Sequence, residues 1–215
     1  MGIIYKILQP AFSYCVEREV SSVEKLIVER LSYSTIEQQM IEFKIGITDF
    51  ETGEVNDNVI HDIAKTLVAM SNNVNAKEQG LVVVGIADNL QQFNNWSKQY
   101  TGVPVIVNQH FVPGIDDEAE RKWGSIDAYS RYFANRIAAE DISEPLKQFI
   151  MDSFVVITFY SRTLLVFMSS DQGTTSYYNG HKYVRQGNST VCVDGNINNS
   201  NAIKTQTVNG PIHAF

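Results

Sequence analysis

The sequence predicts an α+β fold: one domain with a mixed β-sheet flanked by helices. Three observations carry this expectation. Gly80-Leu81-Val82-Val83-Val84-Gly85-Ile86-Ala87-Asp88 is an apolar, β-branched run, the make-up of a strand buried on both faces. Amphipathic helical stripes precede it, and strand-like runs crowd the last third of the chain. The 215 residues are 44% hydrophobic and 11% aromatic, which supports one real core and is short for two ordinary domains.

Taken in order, Met1 to Leu8 are apolar but few, and Gln9-Pro10 interrupts them, so neither a signal peptide nor a membrane span is expected. Over 16–31, Val16, Val20, Val23, Ile27 and Leu31 recur at three- and four-residue steps, predicting an amphipathic helix in an N-terminal extension over 1–33. The main domain is expected over 34–195 and a polar, Asn-rich tail over 196–215.

The next stretch organises the rest. From Met40 the chain alternates, with Ile41, Phe43, Ile45 and Ile47 on one side of an extended strand and Glu42 and Lys44 on the other. Glu37 lies five residues before Glu42, on the opposite side of a continuous strand or about 140° away on a helix. The two carboxylates converge only if the backbone turns between them. Two readings stand for Glu42 and Lys44: the solvated face of an edge strand, or paired charges that do chemistry.

A turn-rich loop over 48–54 leads to a second helix, capped by Asn56 or Asp57, with Val59, Ile60, Ile63, Ala64, Leu67 and Val68 as its stripe. The apolar strand ends on Asp88. A carboxylate there is either a ligand-bearing group at a strand's carboxyl end or the start of a turn. Residues 91–115 read as irregular, with a short edge strand near Val103 to Val107. A helix over 116–139 breaks at Gly124 and restarts on Ser125, and Arg131 and Arg136 project from it as phosphate contacts or as ordinary surface arginines. Another helix starts near Ser143-Glu144-Pro145. A hairpin is expected over 154–168, and Asn179-Gly180 gives the strongest two-residue turn signal in the chain. In the strand leaving that turn, His181, Tyr183 and Arg185 share a face.

Composition narrows the function classes. The net charge is −7 and the pI is near 5.1, so the surface is not a general coat of positive charge, and any nucleic-acid contact is local or passes through metal ions. Cys15 and Cys192 make neither a zinc motif nor a disulfide framework, which points to a reducing cytoplasm. The four histidines show no metal-ligand spacing, and no GxSxG, Walker-type or GxGxxG segment occurs.

Three pieces, in this order, resemble the Schlafen-type domain, also called the AlbA-like nucleic-acid-binding domain. They are an E-x(4)-E-F-K segment from Glu37 to Lys44, the apolar strand ending Val84 to Asp88, and Tyr183-x-Arg185-x-Gly187-x-Ser189-Thr190. The chain departs from the family pattern at 73–79, inserted where a short Gly-Gly link is usual. The resemblance implies a metal-dependent endoribonuclease that cuts structured RNA such as tRNA, in stress or antiphage defence. Carried over by position, Glu37, Glu42 and Asp88 would be the acidic residues holding Mg²⁺ or Mn²⁺. It also implies a homodimer, since such domains pair as a clamp around RNA. Physically, clustered carboxylates stay ionised together only with a cation present, and hard cations suit them. Lys44 could stabilise phosphate charge as a fourth catalytic group. Lys182 and Arg185 could bind backbone phosphates, and Tyr178 or Tyr183 could stack on an unpaired base. The alternative is a non-catalytic nucleic-acid-binding or nucleotide-binding module of the same fold, toward which the acidic pI leans.

Overall fold

The computed structural model describes residues 22–32, 39–73 and 78–193. In chain order the elements are α1 (Ser22–Ser32), β1 (Ile41–Lys44), α2 (Asp57–Ser71), β2 (Gly80–Val84), α3 (Leu90–Trp96), β3 (Val105–Val107) and β4 (His110–Val112). Then come α4 (Asp116–Trp123), α5 (Ile126–Ala139), α6 (Leu146–Ser153), β5 (Val155–Phe159), β6 (Arg162–Ser169), β7 (Tyr183–Gln186) and β8 (Ser189–Cys192). The fold is α+β, with a mixed sheet between helices.

That sheet has four strands in the order β1-β2-β6-β5. β1 and β2 run parallel, Ile41 opposite Leu81 and Lys44 opposite Val84, while β6 is antiparallel to both β2 and β5. The continuous apolar run of β2 follows from its central place, because both of its faces are covered. Val82 and Val84 join the core formed with α2, α5 and α6, whereas Leu81 and Val83 join the core beneath α1, with Ile27, Leu31, Ile41, Phe43 and Val112. β6 alternates in the same way, Leu165 and Phe167 to one core, Leu164 and Val166 to the other.

Local signals place the elements. Asn56 caps α2 by accepting from the Asn58 amide at 3.1 Å, and the expected stripe (Ile60, Ile63, Leu67, Val68) is fully buried, each side chain stabilising by about 2 kcal/mol. α4 ends on Gly124 in the left-handed region, and Ser125 caps α5 by accepting from Ala128 N at 3.1 Å. Asn179 and Gly180 have φ of 50° and 75°, and Tyr178 and His181 exchange two backbone hydrogen bonds of 2.9 Å across them. The ladder at that turn is a single bridge. The longer hairpin is β7–β8, whose turn is Gly187-Asn188.

Two regions differ from expectation. Residues 91–115 are not irregular. They hold α3, capped by Asn89, and the β3–β4 hairpin, and they build a third core around Trp96, Tyr100 and Ala87. The short strand expected near Val103 to Val107 is β3, but α3 is too short to show a periodic stripe and β4 has three residues, so pattern alone misses these two. The segment expected as an N-terminal extension also does more than extend. Ile27 and Leu31 of α1 are fully buried against the sheet, so this helix closes one face of the core. The expected start of that helix at 16–21 lies outside the described residues. Among the described residues no helix is long and apolar enough to cross a membrane.

Candidate functional site

Because β1 and β2 are parallel, their carboxyl ends lie side by side. Beyond them Gly85 and Ile86 both donate to the Lys44 carbonyl, at 2.7 and 3.2 Å. Gly85 has φ of 110°, and a Cβ there would stand 2.7 Å from Leu164 Cδ2. Only glycine lets the chain pass so close and turn toward Asp88. The alternation of β1 sends Phe43 toward α1 and leaves Glu42 and Lys44 on the other face, each about one-fifth exposed.

Glu42 is held from two sides. Its Oε1 accepts from Lys44 Nζ at 2.7 Å, and its Oε2 accepts from Arg185 Nη2 at 3.3 Å. Arg185 comes from β7 and is nearly fully buried, its side chain 2% exposed. It also donates from Nε to the Gln39 carbonyl at 3.2 Å and from Nη1 to Thr190 Oγ1 at 3.1 Å. Burial pulls its pKa below the usual arginine value, and the Glu42 charge opposes that pull. Arg185 thus ties β7 to β1 and faces a carboxylate rather than the solvent.

Asp88 feels the same pair of charges. Its pKa is pushed up to about 6, mainly by the desolvating walls around it, with Glu42 adding to the rise and Lys44 opposing it. The side chain nonetheless has open surface, which limits what the shift is worth. A carboxyl raised from 3.8 to about 6 contributes stability in full below the unfolded value and loses it as pH rises through 6. The whole shift corresponds to about 3 kcal/mol, which solvent screening reduces to about 1. Asp88→Asn is therefore expected to stabilise the protein by about 1 kcal/mol at pH 8 in EDTA, and by nothing at pH 3.5. Thermal unfolding across that range checks it, and equal stability at pH 8 would refute the desolvation.

The other expected site residues fall elsewhere. Glu37 lies outside the described residues. Lys182 lines a polar pocket of about 330 Å³ with Ser71, Asn72, Asp171 and Thr174, at the end of α2. Tyr183 is half-buried, its ring 6.2 Å from that of Tyr178. Arg131 pairs with Asp127 at 2.9 Å on the surface of α5, and Arg136 with Asp57 of α2 at 2.8 Å. The structure therefore joins Glu42, Lys44 and Asp88 with Arg185, and pairs the α5 arginines with other acidic groups. Tyr178 does not suit base stacking, because it is 3% exposed. Its hydroxyl donates to Glu140 Oε2 at 2.6 Å and lies 3.1 Å from His61 Nδ1.

Among the described residues no group of three or more His, Cys, Asp or Glu side chains stands ready to hold a metal ion. Glu42 and Asp88 are hard oxygen donors whose mutual repulsion a divalent cation would relieve, so they fit as two ligands of such an ion. The expected third carboxylate, Glu37, lies outside the described residues.

Two features escaped the sequence reading. Glu118 is fully buried. Its Oε1 accepts from Ile47 N (3.1 Å), Thr48 N (2.8 Å) and Thr48 Oγ1 (2.8 Å), and its Oε2 accepts from Tyr129 OH (2.8 Å). Burial pushes its pKa up while these bonds push back. Beside Asp88, moreover, His110 and the β3–β4 turn form one wall of a cleft, and burial lowers the His110 pKa. Neither signal is local, since Glu118 is 70 residues from Thr48.

No protein-family model and no curated protein matches the sequence. Among solved structures, the chain is similar to the DIP2311 protein from Corynebacterium diphtheriae, a structural-genomics crystal structure, at 14% identity and a TM-score of 0.44 over 80% of this chain. The chain spans 26% of that protein's length.

Proposed function

We propose that the chain is a metal-dependent endoribonuclease of Schlafen type that cleaves structured RNA such as tRNA in the cytoplasm, as a homodimer and in stress or antiphage defence. One observation carries the reading. Glu42 and Lys44 of β1 and Asp88, four residues beyond the end of β2, stand within reach of one another's charge near the carboxyl ends of two parallel strands, where α/β sheets hold ligands. Mg²⁺ or Mn²⁺ bound by Glu42, Asp88 and Glu37 would supply an activated water and neutralise phosphate charge. The protein's own part is positional. Arg185 and Lys44 fix the Glu42 carboxylate from opposite oxygens, and Lys44, which also acts on Asp88, is the cation we assign to developing phosphate charge.

The test incubates the purified protein with total tRNA and Mn²⁺ or Mg²⁺, with EDTA as the control. Cleavage is expected to stop with chelator and to fall at least ~100-fold in Glu42→Gln and in Asp88→Asn. Because Asp88→Asn is expected to be the more stable protein at neutral pH, its inactivity would not be a folding defect. Chelator-insensitive cleavage, or variants as active as the parent, would refute the site.

One observation favours a second reading, a non-catalytic nucleic-acid-binding or nucleotide-binding module. Both oxygens of Glu42 already have cationic partners in the protein, so its charge is balanced without a metal. Binding of tRNA with no cleavage under any metal condition would decide for it.

A further inference from the structure

A cleft of about 500 Å³ opens beside Asp88, between the start of α3 and the β3–β4 turn, lined by Asn89, Leu90, Asn108, Gln109, His110 and Phe111. Its volume suits a ligand of nucleoside size. Its chemistry is unlike that of the charged site next to it. Three of the lining residues are carboxamides, which carry both donors and acceptors, and apart from Asp88 no acidic or basic side chain other than the imidazole of His110 lines it.

The walls are held in place. The Phe111 ring stacks on Phe93 with centroids 5.2 Å apart, and the His110 ring lies 5.1 Å from Phe43. Leu90 is 53% exposed, a large apolar side chain kept at the surface where it borders the cleft. Asn89 caps α3 through its side-chain oxygen, which accepts from Gln92 N at 2.9 Å, so the cap itself does not use its NH₂. Asn108 is anchored by donating to the Leu31 carbonyl at 2.9 Å. Gln109 has φ of 137°, in the region that favours glycine, so keeping a carboxamide side chain there costs backbone strain of a kind that gathers at ligand clamps. A turn needing only to reverse the chain would be better served by glycine.

A neutral, flat ligand with donors and acceptors along its edge meets these walls. A phosphate does not, for want of cations, and a fatty chain does not, for the amides. We propose that this cleft takes one unpaired purine base of the RNA strand, its edge read by the carboxamides of Asn89 and Gln109 and its face resting on the apolar wall of Leu90 and Phe111. A two-ring base fills the volume better than one ring. The inference rests on the nuclease reading for its biological meaning, since the cleft would set which base lies next to the cut phosphate, but the pocket itself is testable without cleavage.

The probes are the four ribonucleosides, which carry no phosphate and so do not report on Lys44. Saturation-transfer NMR on the full chain is expected to show adenosine or guanosine binding, with cytidine and uridine roughly fivefold weaker or more, the scale of one lost neutral hydrogen bond. Two variants keep the fold. Asn89→Ser retains a good helix cap while removing the amide, and Gln109→Gly removes the other amide while relaxing φ. Each is expected to weaken purine binding by roughly fivefold or more, with a melting temperature at or near that of the parent for both. Absence of purine binding in the folded parent, binding unaffected by both variants, or a neutral monosaccharide bound in place of purines would overturn the pocket. Purine binding by a protein that cleaves no RNA would uphold the pocket and refute only the nuclease. Cleavage without nucleoside binding would do the reverse.

Discussion

Gly46→Ala is expected to cost the fold about 3 kcal/mol, the upper range for overpacking a closed interior. A Cβ at position 46 would overlap Oε2 of Glu118 and stand 2.8 Å from its Cδ and 2.9 Å from its Oε1. Relief would require the carboxylate to move, and it is the one group in this core least able to do so. Four donors converge on it from Ile47, Thr48 and Tyr129, and Thr48 Oγ1 is held in turn by the Tyr100 hydroxyl at 2.7 Å. Shifting it would strand a buried charge or four buried donors, each costing roughly 1–3 kcal/mol. Urea unfolding of the variant measures the loss. A change below about 1 kcal/mol would mean that the Glu118 network is loose, contrary to its geometry.

The second large effect is at Arg185. Arg185→Ala is expected to destabilise by about 2–3 kcal/mol, less than the 3–5 of a fully buried pair because Glu42 is part-exposed and keeps Lys44 as a partner. The loss has four parts: packing of the buried aliphatic stem, the bond to Thr190, the bond to the Gln39 carbonyl, and the ion pair with Glu42. The Glu42 term can be isolated. In a double-mutant cycle of Arg185→Ala with Glu42→Gln, a coupling of about 1–2 kcal/mol is expected at low salt. Zero coupling would show that Arg185 serves the hairpin alone and does not hold the candidate catalytic carboxylate. The same variant bears on activity, because a Glu42 released from Arg185 is held only by Lys44.

Much of this fold was legible in the chain because its signals are local. Val82 to Val84 read as a doubly buried strand, and they are one. The stripe of α2, the Gly124-Ser125 break and the Asn179-Gly180 turn each depend on a few neighbouring residues, and each appears where expected. What could not be read is long-range pairing. Arg185, beside Lys182, was expected as a backbone-phosphate contact, but nothing near it in sequence says that the β7–β8 hairpin lies against α2 and turns Arg185 onto β1. Thr66 and Thr190, whose hydroxyls meet at 3.1 Å, are 124 residues apart. Glu118 is the third of three consecutive acidic residues in the first turn of α4, a place where acidic side chains are ordinary. Only the packed structure shows it pointing inward. The site was half legible: the alternation of β1 put Glu42 with Lys44, and the apolar run pointed to Asp88, although β2 itself stops at Val84, while the cleft beside Asp88 also needs α3 and β4, which carry no periodic signal.

The two halves of the sheet differ in how far the chain must travel to make them. β5 and β6 meet across the two-residue turn Tyr160-Ser161, a closure that a short segment completes on its own. β1 and β2 meet only when Ile41 finds Leu81, forty residues away, with a whole helix laid across between them. Glu42, Lys44 and Asp88 all depend on that late, expensive pairing, and Arg185 arrives from farther still. A partly assembled chain can therefore possess its hairpins, much of its helix and local ion pairs such as Arg131–Asp127, while Asp88 and Arg185 are not yet brought to Glu42 and Lys44.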